Sequence, residues 1–519
     1  MGPRVERVSA LPKLLGVAAL LTVALLVLAP VLALLSRAET GGGSAAVWPA
    51  IRFTLLQASL SALISVALAI PLAKALARRA FFGRGLMLSL LGAPFLLPSI
   101  VAVLGLLAIF GRSGVISDIL APFGLGPLDI YGLTGVLLAH VFFNLPLATR
   151  MLLQGWQAVP AEHFRLAAQL DLAPRARFVL FDMPVLRGAA PSALLVIFML
   201  CMSSFAVVLA LGGGPKASTI ELAIYQALRF EFDLASAAQL AIVQLLIGLA
   251  AAALAFHFSK AARFGGGLGA PFQNWDRRRG PMLADVLILS IAAVFIGLPM
   301  LAILAKGLGG LAALPAGLGA AFAVSLGVAA ASTLLALGLS LILAQFIESS
   351  KRGHAIELFS LLLLATSPFV IGTGLFILIN PFASPFALAL PITALVNAAL
   401  ALPLMLRILR PALSRVTQDY GHLADGLGLS GWARFKLLTL PQIRPELGFA
   451  TGLAAALSMG DLGVITLFAP PDVQTLPLLM YRLMGSYQME AAAGVALVLV
   501  LASFGLFYVF DKGGRGAGA

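Results

Sequence analysis

The sequence predicts an all-α polytopic membrane protein of about twelve transmembrane helices, arranged as two parallel six-helix repeats. Its 519 residues are 61% apolar and only 11% charged, whereas an average globular domain carries about 25% charged residues. Uncharged runs close to the ~20 residues that an α-helix needs to cross a bilayer recur along the chain. The alternating segments of ~10 residues that are typical of a membrane β-barrel are missing. In addition, a polar stretch at 159–187 occurs a second time at 416–444.

These two segments, the first and second polar stretches, align without a gap. Leucine and alanine matches carry little weight in so apolar a chain, but rarer residues match as well. The rarer matches are Arg177/Arg434, Phe178/Phe435, Pro184/Pro441 and Arg187/Arg444, with Glu162 opposite Asp419. Such self-similarity indicates one structural unit used twice. Because each half has an even number of spans, both halves share one orientation, and we expect a pathway between them.

Each half contains six predicted spans. In the first half they lie near Leu14–Leu35, Phe53–Ala77, Leu86–Phe110, Gly132–Leu153, Ala189–Leu211 and Ala235–His257. In the second half they lie near Leu283–Lys306, Leu318–Phe346, Ile356–Asn380, Phe386–Leu409, Leu447–Phe468 and Ala491–Phe510. The first run exceeds the ~7–15 apolar residues of a signal peptide core, so we interpret it as a retained span.

Domain boundaries and orientation follow from the charges between the spans. Residues 1–257 form the first six-span unit, 258–282 a glycine-rich cytoplasmic linker, and 283–519 the second unit. Lysine and arginine cluster after spans two and four, and such residues favour the cytoplasmic side. We therefore expect a multi-pass protein of the bacterial inner membrane with both termini in the cytoplasm.

The polar stretches are too polar to span a bilayer. Glu162–Leu172 has helical spacing, and we expect Pro174 and its counterpart Gly431 to interrupt the helix. A second short helix, Arg175–Asp182, is predicted to end at Pro184. A short cytoplasmic helix with small residues on one face suits docking into a groove of another protein. The alternative is an amphipathic helix that lies in the membrane interface without a partner.

The polar stretches resemble the cytoplasmic loop that marks permease subunits of bacterial ABC importers. Its pattern is E-A-A, three residues, G, nine residues, I-x-L-P. The chain departs from it at Arg165 and His422, which replace Glu, and at Asp171, which replaces Gly. In that family the loop docks into a cleft of the ATPase subunit. The resemblance implies docking roles for Glu162, Ala167, Asp171, Leu172, Asp419, Ala424, Gly428 and Leu429, with Pro184 and Pro441 closing the loops.

Two such units fused in one chain resemble the permeases for thiamine and for ferric iron. The outer-loop text at Gly212–Leu234, Met459–Phe468 and Thr475–Tyr487 is similar to that of the thiamine permeases. The resemblance implies import of thiamine, with its phosphates left open. It also implies an ABC ATPase dimer on the cytoplasmic face and a periplasmic thiamine-binding protein on the outer face. Ferric iron or another small solute is the alternative cargo.

Several polar residues are candidates for the solute pathway or gate. Asp461 lies inside a predicted span, where an acid is costly and marks a functional site by default. A carboxylate suits a cationic solute such as thiamine, although Asp461 could instead cap a helix near the span end. Its repeat counterpart is Ser204. The remaining candidates are Asn144, Tyr225 and Tyr481, for which helix packing and interfacial anchoring are the alternatives.

Other functions are disfavoured by the sequence. The net charge of +13 follows membrane topology and does not suggest nucleic-acid binding; lipid is the expected surrounding. Cys201 cannot form an internal disulfide, and the five histidines show no metal-ligand spacing. We therefore expect no cofactor, no metal, no catalytic residues and no enzyme activity, with ATP hydrolysis on a partner subunit. An ion-coupled secondary transporter stays open, but it predicts several intramembrane acids. A membrane-embedded enzyme would need a catalytic constellation.

Overall fold

The computed structural model describes residues 10–38, 47–170, 172–214, 217–258, 279–350, 353, 363 and 366–515. Helices are the only regular structure among these residues. The helices of the first half are α1 (Ala10–Ala38), α2 (Val47–Arg78), α3 (Arg84–Leu90), α4 (Ala93–Leu96), α5 (Ser99–Phe110), α6 (Val115–Leu120), α7 (Leu133–Gln157), α8 (Ala161–Gln169), α9 (Pro174–Arg177), α10 (Met183–Met202), α11 (Phe205–Leu211), α12 (Ile220–Gln226) and α13 (Leu234–Phe258).

The second half continues the same plan. Its described helices are α14 (Arg279–Gly310), α15 (Leu318–Ser349), α16 (Pro368–Ile379), α17 (Ala389–Gly426), α18 (Gly431–Arg434), α19 (Leu440–Met459), α20 (Gly463–Phe468), α21 (Leu476–Gly485) and α22 (Met489–Arg515). Most of the predicted linker, residues 259–278, and the first part of the ninth predicted span lie outside the described residues.

The described residues include 11 segments long and apolar enough to cross a membrane, together with the shorter apolar helices Arg84–Leu96 and Pro368–Ile379. The all-α, multi-span fold class is thereby confirmed. The third predicted span is not one helix, because the chain is interrupted before α4 and again between α4 and α5. Pro98 lies at the second interruption. Since proline has no N–H, it cannot continue the hydrogen-bond pattern of a helix.

The internal repeat is visible in the backbone. A π-helical turn, Phe178–Asp182, joins α9 to α10, and the same turn at Phe435–Thr439 joins α18 to α19. All of these elements begin and end at aligned positions of the two polar stretches. Outer segments are fixed alike, because the hydroxyl of Thr54 accepts from the first N–H of α12 at 2.9 Å and that of Ser325 accepts from the first N–H of α21 at 2.8 Å.

The chain forms two compact units that differ from the two sequence halves. The N-unit contains 43–223 and 246–309, and the C-unit contains 1–42, 224–245 and 310–519. Each unit therefore includes the first span of the opposite half. In the C-unit, Gly374 of α16 lies against Pro30 of α1. In the N-unit, Phe295 of α14 packs on Phe142 at 6.2 Å between ring centroids. The division into repeats at 1–257 and 283–519 stays a prediction.

Candidate coupling segments and pathway residues

The first polar stretch begins with the short helix α8. Its inner face carries Phe164 and Ala167, which are 7% and 4% exposed. The ring of Phe164 packs on that of Phe181, with centroids 5.5 Å apart. The outer face carries Leu166 and Leu170, which are 53% and 62% exposed. One side of this helix is therefore fixed in the N-unit, and the other presents two leucines to the surroundings.

The second polar stretch has the same faces but begins differently. It is the last part of α17, a helix of 38 residues, and not a separate short helix. Ala424 is 1% exposed, whereas Leu423 and Leu427 are 57% and 66% exposed. The leucines occupy the repeat positions of Leu166 and Leu170. Both stretches thus present a matched pair of exposed leucines, a feature that sequence reasoning had passed over because leucine matches are common in this chain.

The predicted docking residues are distributed over both faces. Glu162 and Asp419 are exposed, but Ala167 and Ala424 point into their own units. The two alanines therefore cannot form the surface that meets a partner without rearrangement. Asp171 lies outside the described residues. Leu172 and Leu429 follow the helices and are partly exposed.

Gly428 ends the helix of the second polar stretch. Its φ of +66° lies in the left-handed region, which favours glycine. The N–H of Leu429 then donates to the carbonyl of Ala424 at 2.9 Å, and the matching bond from Leu172 to Ala167 is 3.2 Å. This pattern is a common way to end an α-helix. The glycine of the family motif thus has a direct backbone reason in the second half.

The predicted helix ends were wrong at the prolines and at Gly431. Pro174 and Gly431 are the first residues of α9 and α18, and do not merely interrupt a helix. Helical structure also continues through Pro184 and Pro441, which lie in the first turns of α10 and α19. The preceding π-helical turn explains this, because its wider hydrogen-bond pattern accommodates a residue without an N–H.

A buried carboxylate fixes the first polar stretch. Asp182, 4% exposed, lies in the π-helical turn and accepts from the ammonium of Lys74 at 2.5 Å and from the indole N–H of Trp156 at 3.0 Å. It thereby links the stretch to α2 and α7. The aligned residue in the second half is Thr439, so repeat comparison gave no indication of this role. The second stretch has instead an exposed ion pair of 3.1 Å between Arg434 and Asp425.

Pathway candidates of the N-unit lie where α10 ends and α11 begins. The hydroxyl of Ser204 is 2.6 Å from His140 Nε2, and the hydroxyl of Ser61 is 2.8 Å from His140 Nδ1. The amide of Asn144 donates to the sulfur of Cys201 at 3.2 Å. Ser204 and Asn144 are therefore members of a polar cluster that connects α2, α7 and α10 within the apolar interior.

The C-unit has the matching cluster at the break between α19 and α20. The amide of Asn397 and the hydroxyl of Ser332 both donate to the hydroxyl of Ser458, at 3.1 and 2.7 Å. Asp461 Oδ1 accepts from the N–H groups of Gly463 at 3.1 Å and Val464 at 3.5 Å. The carboxylate therefore caps α20, as the sequence alternative allowed, while its Oδ2 atom is buried without a hydrogen-bond partner among the described residues.

Asp461 is not the only acid to be found within a predicted span. Asp285 of α14 is 2% exposed and lies inside the predicted span Leu283–Lys306, so the sequence analysis missed it. The carboxylate is paired with Arg78 and Arg79. Since both acids already have strong local partners or capping contacts, neither is arranged as a freely exchanging proton site.

The two candidate tyrosines lie in the C-unit beside two arginines. Burial raises the pKa of Tyr225, and the charges of Arg229 and Arg482 oppose that shift. Burial also raises the pKa of Tyr481, and Tyr225 contributes to the increase. Arg229 donates to the carbonyl of Ala469 at 2.9 Å, and Arg482 donates to that of Pro471 at 3.0 Å. The tyrosines thus border a cationic cluster that the sequence analysis did not predict.

These features define a class: a multi-span permease with a repeated cytoplasmic docking loop. A family model, the binding-protein-dependent transport system inner membrane component, matches residues 336–512. The chain is 40% identical to the thiamine transport system permease protein ThiP of Brucella melitensis, over 93% of this chain and 91% of the relative. It is 38% identical to ThiP of Salmonella typhimurium over 97% and 96%, and 38% identical to ThiP of Escherichia coli over 90% and 89%.

The chain therefore belongs to the family of the ThiP permease proteins, which are inner membrane components of binding-protein-dependent transport systems. Membership of this family confirms the resemblance found in the polar stretches and the outer loops.

Proposed function

We propose that this chain is the membrane-spanning subunit of an importer that moves thiamine into the cytoplasm. The observation that carries the proposal is the likeness to ThiP permeases over nine-tenths of the chain or more. An ABC ATPase dimer would supply energy at the two polar stretches, and a periplasmic thiamine-binding protein would deliver the solute to the outer loops. Both termini would then lie in the cytoplasm.

Docking of the ATPase is best supported by the exposed leucine pairs. Leu166 and Leu170 match Leu423 and Leu427 in exposure and in repeat position. An apolar pair on one face of a short helix suits a groove on a partner, and two related stretches suit two copies of one ATPase. The exposed acids Glu162 and Asp419 flank the pairs, and thereby retain the docking roles predicted for them.

The pathway would include the paired polar clusters at the breaks after α10 and α19. In the first repeat the cluster is neutral, with Ser204, His140 and Asn144, whereas in the second it contains the carboxylate of Asp461. A carboxylate in a region of low dielectric attracts a cation strongly. Thiamine carries a permanent positive charge, so we assign Asp461 the attraction of the cationic solute.

The test is uptake of labelled thiamine by cells that lack this chain, with and without a plasmid that carries it. We expect the plasmid to restore uptake, and we expect restoration to require the ATPase subunit. A transport system of the same architecture that carries ferric iron would restore iron uptake and leave thiamine uptake unchanged. Restored thiamine uptake that needs no ATPase but collapses with the proton or sodium gradient would instead establish a secondary transporter.

A further inference from the structure

A cleft in the N-unit lies where α2 ends and α14 begins. It has a volume of about 670 Å³, within the usual range of ligand sites. Its walls are mostly apolar side chains of α3 and α14. Those used below are Leu86, Met87, Leu90, Val286, Leu289 and Ala293. The cleft is separate from both polar stretches and from the helix breaks of the pathway.

The closed end of the cleft is charged. Arg79 and Asp285 line it, and Arg78 lies behind them. Asp285 Oδ2 accepts from Nε of Arg78 at 2.9 Å and from Nε of Arg79 at 2.7 Å, and Arg78 also pairs with Oδ1. Two guanidinium groups therefore surround one carboxylate at the inner end of an otherwise apolar cleft.

The surface around the mouth is apolar. On α14, Leu283, Leu287 and Ile291 are 71%, 61% and 59% exposed. This helix belongs to a segment of 33 residues with the length and hydropathy of a membrane span. An exposed apolar face on a spanning helix contacts lipid. The cleft therefore opens towards the bilayer, near the span end that the arginines place on the cytoplasmic side.

We propose that this cleft binds an anionic glycerophospholipid. The headgroup phosphate lies at Arg79, where a guanidinium can form two parallel hydrogen bonds to phosphate oxygens. One acyl chain lies along the walls formed by Leu86, Leu90 and Leu289. Basic pockets between transmembrane helices on the cytoplasmic side are suited to anionic headgroups. A water-soluble phosphate would leave the apolar walls without a partner, so the ligand needs both parts.

The test uses the purified full chain, incubated with phosphatidylglycerol or phosphatidylethanolamine of identical acyl chains, and native mass spectrometry to count retained lipids. We expect phosphatidylglycerol to be retained about tenfold more tightly, a difference of about 1.4 kcal/mol. Equal retention of the two lipids would overturn the headgroup assignment. Displacement of phosphatidylglycerol by millimolar inorganic phosphate would show that the cleft recognises phosphate without the lipid, and would overturn the proposal too.

Two substitutions locate the site. Ala293→Trp fills the cleft without removing a charge, and should abolish the preference for phosphatidylglycerol. Leu287→Trp is its matched control, because Leu287 is exposed on the same helix but does not line the cleft, and should retain the preference. Arg79→Gln, which leaves the pair between Arg78 and Asp285, should reduce the preference to near one. Unchanged selectivity in Ala293→Trp would overturn the assignment, even if Arg79→Gln failed to fold.

Discussion

The two polar stretches present the same exposed face but are fixed in place by different means. The first is a separate short helix, and the buried carboxylate of Asp182 links the π-helical turn that follows it to Lys74 and Trp156. The second continues from the long helix α17 and ends at Gly428 in the left-handed conformation. The stretch that departs further from the family motif is the one with the buried ion pair. A repeated surface can therefore be maintained by different local interactions.

The largest effect is expected from the exposed leucines. Replacing both Leu166 and Leu423 by Glu places a charge at each predicted contact, and a desolvated unpaired charge costs several kcal/mol. We expect thiamine uptake and transport-coupled ATP hydrolysis to fall by more than a hundredfold, at equal membrane abundance. The control is Leu166→Met with Leu423→Met, which keeps the surface apolar and should retain uptake.

Single Leu→Glu variants sharpen the comparison between the stretches. If both stretches dock equivalently, Leu166→Glu and Leu423→Glu should reduce uptake to a similar degree. Loss in one single variant only would show that the stretches have different roles. Full uptake in the double variant would contradict docking at the leucines altogether.

The next effect concerns the asymmetry between the pathway clusters. Asn caps a helix about as well as Asp, so Asp461→Asn removes the charge and keeps the cap on α20. We expect the KM for thiamine uptake to rise about tenfold, equivalent to about 1.4 kcal/mol of lost attraction. Membrane abundance and thermal stability should stay near wild type. An unchanged KM would leave Asp461 a helix cap and nothing more.

Asp182→Asn tests the buried ion pair. It removes the carboxylate from Lys74, and disrupting such a partly buried pair should cost about 2–3 kcal/mol of stability, below the ~3–5 kcal/mol of fully buried pairs. The matched change in the second stretch is Asp425→Asn, whose side chain is 56% exposed; exposed pairs contribute under about 1 kcal/mol. Thermal unfolding of the purified variants gives both values. Equal destabilisation would contradict the different anchoring of the two stretches.

The smallest effect is expected at the end of the second stretch. Gly428→Ala places a Cβ on a residue with φ of +66°, which costs about 1 kcal/mol. Gly426→Ala is the control, because Gly426 is the last residue of α17, has no positive φ and has open space around it. Thermal unfolding should show Gly428→Ala destabilised and Gly426→Ala unchanged or stabilised. The reverse order would show that the left-handed conformation is not required.

Much of the architecture could be predicted from local sequence. The spans followed from long apolar runs, since a helix that crosses a bilayer has to satisfy its backbone internally and cover itself with apolar side chains. The repeat followed from matched Arg, Phe and Pro residues. The helix interruptions were less predictable, because whether Pro184 ends a helix depends on the hydrogen-bond pattern of the turn that precedes it.

The sequence by itself determined the fold class, the repeat and the family, because each is encoded in hydropathy and in residues close together along the chain. Only the tertiary structure decided which face of each polar stretch is exposed, turning Ala167 and Ala424 inward and the leucines outward. It also decided the partners of Asp182 and Asp285, which lie 108 and 207 residues from Lys74 and Arg78. Contacts over such separations depend on how helices pack, and no local pattern specifies them.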